Sequence, residues 1–113
     1  MKKNVKTGDV IPVTIEMKFE GTIRNHAILV ENQFIPTIDN QRKNFDITLD
    51  GDPIQIIARF IGVRGSTIKS LKLSINGKTG FSVSDIKLKF EELEIKAPIP
   101  YSKFDLVQTS LLA

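Results

Sequence analysis

The sequence predicts an all-β fold, a two-sheet antiparallel β-sandwich of about seven or eight short strands. Three observations carry this. The apolar residues are sixteen Ile, seven Val, seven Phe and nine Leu against only four Ala, and eight Thr accompany them. Branched and aromatic side chains suit a pleated sheet, whereas Ala-poor segments make weak helices. Apolar residues alternate with polar ones in several runs, which is the period of a half-buried strand. Turn-forming residues punctuate these runs at about 8–12-residue spacing, as in sandwiches and small barrels. A small OB-like β-barrel is the alternative, but it has fewer strands than the runs counted here.

The first strand is marked by Ile11, Val13, Ile15, Met17 and Phe19, alternating with Thr14, Glu16 and Lys18. Pro12 cannot donate to a ladder, which places it at a strand edge or strand start. A Glu20-Gly21-Thr22 turn into Ile23 predicts a hairpin, with Phe19 facing Ile23, Ile15 facing Ala27 and Val13 facing Leu29. Ala27-Ile28-Leu29-Val30 is apolar on both faces, as expected of a covered strand. Residues 31–43 read as a long crossing loop, with Phe34, Ile35 and Ile38 tucked inward and Pro36 breaking the ladder. Phe45, Ile47 and Leu49, the turn Asp50-Gly51-Asp52-Pro53, and then Ile54, Ile56, Ala58 and Phe60 predict a second hairpin.

Leu71, Leu73 and Ile75 form the next alternating run. Asn76-Gly77 is the signature of a two-residue hairpin turn. That loop length sets Leu73 opposite Gly80, so parity favours an odd-length loop with Leu73 opposite Phe81 or Val83. Phe81 and Val83 are out of phase with Ile86, Leu88 and Phe90, which predicts a β-bulge or sheet crossing near Ser84-Asp85. Leu93-Glu94-Ile95 reads as a short strand, Ala97-Pro98-Ile99-Pro100 as extended chain, and residues 101–109 as a last strand.

The 113 residues fit one domain, 1–113, with residues 1–8 a flexible basic arm carrying Lys2, Lys3 and Lys6. Without cysteine there is no disulfide framework, thiol nucleophile or sulfur-ligated metal. A single histidine, His26, removes multi-histidine metal sites and leaves one neutral-pH base. No apolar stretch approaches the ~20 residues of a membrane span, and no signal-peptide core follows the basic start. The expectations are therefore no cofactor, no membrane partner and a cytoplasmic setting. The net charge of +3 is a weak field for nucleic acid.

Four sites merit weighing. Asp50 and Asp52, with Asp46, Asp39 and Asn40 in reach, could ligate calcium or hold a sugar, but Asp-Gly-Asp-Pro is equally a turn sequence. His26 shares the face of Ile28 and Val30 and reads as a packing residue without a partner acid or nucleophile. Arg59, Arg64, Lys69 and Lys72 form a candidate basic patch for nucleic acid, lacking the aromatic rings on which single strands stack. Ile28, Val30, Ile57 and Ile61 occupy positions a simple sandwich would make polar, which predicts a covered apolar face. The C-terminal Phe104, Leu106, Val107, Leu111 and Leu112 are an internal candidate for that cover.

No nucleophile–base motif is present, so the functional expectation is a non-catalytic protein–protein interaction or assembly module. It would self-associate as a homo-oligomer, or meet another protein, through the apolar sheet face. The alternatives are a ligand-binding module at the 50–53 turn and a weak nucleic-acid-binding protein using the basic patch.

Overall fold

The computed structural model describes residues 2–35 and 42–109, and it is an all-β sandwich. Its strands are β1 (Lys3–Val5), β2 (Val10–Glu20), β3 (Ile23–Val30), β4 (Gln33–Ile35) and β5 (Arg42–Thr48). They continue as β6 (Ile54–Gly62), β7 (Thr67–Ile75), β8 (Lys78–Lys87), β9 (Glu92–Ile99) and β10 (Leu106–Gln108). One antiparallel sheet has the order β5-β2-β7-β8, and the other β4-β3-β6-β9. A 3-10 turn, Tyr101–Phe104, precedes β10, which pairs in parallel with β1.

The alternation seen in the sequence is what fills the core. Ile11, Val13, Ile15 and Met17 of β2 lie inward with Leu71, Leu73 and Ile75 of β7. Across from them stand Ile54, Ile56, Ala58 and Phe60 of β6, all buried. Fully burying a side chain of this size contributes roughly 1.5–3 kcal/mol, so this interior dominates the favourable side of folding.

Strand existence and phase agree with the sequence reading, but several pairings differ. β2 does not pair with β3, so Phe19 does not face Ile23 as a hairpin partner. β3 instead pairs with β6, and β2 lies between β5 and β7. The predicted hairpin across Asp50–Pro53 is likewise a sheet-to-sheet crossing, because β5 pairs with β2 while β6 pairs with β3 and β9. An inward residue remains inward whether its chain turns back beside itself or crosses to the facing sheet, so parity cannot separate the two.

Asn76-Gly77 does form the two-residue turn, with Ile75 opposite Lys78 and φ of 57° and 74°. The parity conflict is resolved by a bulge at Gly80: Ser74 pairs with Thr79, and Leu73 with Phe81. The odd-length loop is therefore corrected to an even loop followed by a bulge. The expected break at Ser84-Asp85 is present, where Asp85 takes φ 54° and forms a 2.9 Å ion pair with Lys69.

The ends also differ from expectation. The 1–8 segment is not simply an arm, since Lys3–Val5 pairs with Leu106–Gln108 and Val5 is buried. Tyr101, Phe104 and Leu106 are buried and complete the core, while Val107 is exposed. Phe34, expected inside, points to solvent, whereas Ile35 is buried. Ile38, Asp39, Asn40, Leu111 and Leu112 lie outside the described residues.

Candidate interaction face

The outer face of the β4-β3-β6-β9 sheet is built from cross-strand rows. Register aligns Phe34, Leu29, Ile57 and Lys96 in one row. The next row is Ala27, Arg59 and Glu94, and the one beyond is Asn25, Ile61 and Glu92. Phe34 is 64% exposed and Ile61 42%, with Ala27, Leu29 and Ile57 half-buried between them. Side chains on one face at adjacent strands touch, so Phe34, Leu29 and Ile57 form a continuous apolar stripe.

Of the four residues predicted to share this face, Ile57 and Ile61 lie on it. Ile28 and Val30 do not: both are fully buried in the core, opposite Ala58 and Ile56. Pairing β3 with β6 rather than β2 reverses the phase inferred for 27–30, so the outward residues are Ala27 and Leu29. The four-residue run is apolar on both faces and carries no parity signal of its own. Phe34 and Leu29 are the functional candidates sequence reasoning missed, and only the β4–β3 register reveals them.

The polar members of the face pair among themselves. Arg59 Nε donates to Glu94 Oε2 at 2.6 Å, and Lys96 Nζ lies 3.3 Å from Glu94 Oε1. The hydrogen bond from Arg59 holds the Glu94 carboxyl below its ordinary range, with Lys96 adding to it. The same bond raises Arg59 above its own. Beside them Asn25, His26, Ala27, Arg59, Ile61 and Glu92 line a shallow depression of about 200 Å³.

The opposite outer face is different. Its rows are Asn44–Thr14–Ser74–Thr79 and Arg42–Glu16–Lys72–Ser82, followed by Lys18–Ser70–Ser84. Thr14 Oγ1 bonds Asn44 Oδ1 at 2.8 Å, Ser74 and Thr79 hydroxyls meet at 2.9 Å, and Arg42 reaches Glu16 at 3.5 Å. Beyond Val10 and Pro12 at the start of β2, these rows are polar throughout.

The candidate basic patch is not brought together. Arg59 stands on the outer face of one sheet and Lys72 on the outer face of the other. Arg64 lies in the loop between β6 and β7, and Lys69 is engaged by Asp85.

The acidic turn is occupied with backbone. Asp52 Oδ1 accepts from Tyr101 N–H at 3.0 Å, while Glu31 accepts from Asp50 N–H and Gln55 N–H, both at 2.8 Å. Asp46 is opposite Pro12 on the polar face, away from this turn. Among the described residues no group of three or more His, Cys, Asp or Glu could hold a metal. His26 is half-buried in the row of Phe60, its ring edge-on to Phe19 at 5.9 Å.

Comparison of the chain with protein-family models, curated proteins and solved structures finds no match. The site's own geometry therefore carries the functional reading.

Proposed function

We propose that this protein is a non-catalytic assembly module that self-associates through the outer face of the β4-β3-β6-β9 sheet. The observation that carries the reading is the contrast between the two outer faces. One is Ser, Thr, Asn and charge; the other presents Phe34, Leu29, Ile57 and Ile61. Water on both sides gives no reason for that difference, whereas a partner on one side does. Arg59 and Lys96 share the apolar face with Glu92 and Glu94, so a two-fold copy can set opposite charges against each other. A chain without cysteine suits a reducing compartment such as the cytoplasm.

Magnitude sets the character of the contact. Four strands of about eight residues present roughly 500 Å² at ordinary strand spacing and rise. Two copies face to face then bury about 1,000 Å², the lower limit for a specific interface. Association is therefore weak, on the order of micromolar, and reversible. The test is the double variant Ile57→Glu/Ile61→Lys. The carboxylate introduced at position 57 would sit beside Lys96, and the ammonium introduced at position 61 beside Glu92. The monomer thus gains compatible neighbours while the stripe is destroyed. The expected result is a folded chain that stays monomeric at concentrations where the parent associates. Unchanged association of the folded variant would remove this face from the account.

A further inference from the structure

Three crossings meet at one end of the sandwich and are tied by backbone hydrogen bonds. Gly62 N–H donates to Glu91 O, Val63 N–H to Thr22 O and Gly65 N–H to Leu88 O, each at 2.9 Å. Leu88 N–H donates to Ser66 O at 2.8 Å, and the buried Ser66 hydroxyl accepts from Thr22 N–H at 2.9 Å. From this tied frame Val63 and Phe90 project into solvent, 42% and 76% exposed. Phe90 is more exposed than the other large apolar residues described. Its sequence phase with the buried Leu88 predicted it inside, and the crossing after Leu88 turns it out. Arg64, Lys87 and Lys89 are exposed in the same two connections, three cations against the one anion Glu91.

The geometry points to this end as a tip that docks on the surface of an anionic lipid bilayer. The tip is convex, so it suits a deformable medium that closes around Val63 and Phe90; a protein would have to supply a fitted socket. Its cations complement anionic headgroups while the two apolar side chains enter the interfacial layer. The loops are already tied, so docking orders little that is not ordered beforehand. No helix among the described residues is long and apolar enough to cross a membrane, and surface docking needs none. The sheet face plays no part in this contact.

The experiment is flotation of the full chain with vesicles of phosphatidylcholine alone, or with about one-third phosphatidylserine. Binding is expected to the anionic vesicles and to weaken as salt rises. Phe90→Ser should fold as the parent, since its ring lies in solvent, and lower binding about tenfold. Lys87→Gln/Lys89→Gln leaves the apolar tip intact and should lower binding more than tenfold, each cation being worth about fivefold. Ile57→Glu/Ile61→Lys should bind vesicles as the parent does. No binding to anionic vesicles, or binding indifferent to both tip variants, overturns the proposal. So does a Phe90→Ser chain that keeps vesicle binding but loses self-association, which would make the tip a protein contact.

Discussion

Tyr101 shows how one side chain can report on the state of the whole chain. It is the only tyrosine, no tryptophan is present, and its buried hydroxyl has no hydrogen-bond partner among the described residues. Burial first, and then the charge of Glu31, raise its pKa above the ordinary value; the nearby Gly51 backbone offsets this in part. The folded state thus holds the phenolic proton more tightly than the unfolded state does. The associated stability is full below the unfolded value near 10 and is lost as pH rises through the folded value. Alkaline titration followed by phenolate absorbance should show the chain losing stability as it ionises above about pH 10. A normal, reversible titration with no change in stability would contradict the burial argument. Tyr101→Phe removes the unpaired hydroxyl at equal shape and should melt at the parental temperature or higher.

Glu31 and Ser66 are the polar residues the fold depends on, at opposite ends of the sandwich. Glu31, 8% exposed, supplies acceptors for both Asp50 N–H and Gln55 N–H where the chain passes from β5 to β6. Glu31→Gln turns one acceptor into a donor aimed at a donor and should cost about 1–3 kcal/mol in denaturant unfolding. Neither role was legible in the sequence, because a single Glu or Ser carries no signal of which distant backbone it will meet.

At the scale of elements, strands were legible and their partners were not. Alternation located β2, β5, β6 and β7, since the pleat itself forces period two. Pairing failed because a hairpin and a crossing bury the same residues. The break between Val83 and Ile86 was legible, and the shorter phase change between Ile68 and Leu71 on β7 is its counterpart across the Lys69–Asp85 pair. The Gly80 bulge was hidden, because it cancels the parity set by the Asn76-Gly77 turn. What holds that bulge is the 3-10 turn: a Cβ at position 80 would meet the ring of buried Phe104. Gly80→Ala should therefore cost about 1–3 kcal/mol through overpacking, measured by thermal or denaturant melting. A neutral result would mean that the Phe104 ring moves freely and the plug is loose.

At the scale of the whole molecule, the sandwich guards its edges and leaves one face apolar. β9 carries Pro98, β8 has the Gly80 bulge and the left-handed Asp85, and β4 is three residues long. Gln33 closes part of the β5 edge by bonding both N–H and C=O of Thr48, at 3.1 and 2.9 Å. Such devices discourage edge-to-edge strand pairing. They direct association to the face instead, where Phe34, Leu29, Ile57 and Ile61 stand in register. Sequence reasoning found that an apolar outer surface exists, and found half of its residues. It misplaced Ile28 and Val30 because their phase depends on which strand β3 pairs with, a choice made by the tertiary fold.

The central claim is that this face meets a second copy, and mass in solution tests it most directly. Light scattering on the parent chain over a concentration series should show mass rising above 12.7 kDa toward a dimer as concentration passes through the micromolar range. Ile57→Glu/Ile61→Lys should remain at 12.7 kDa throughout. A parent chain that stays at 12.7 kDa to the highest concentration reached would contradict the account.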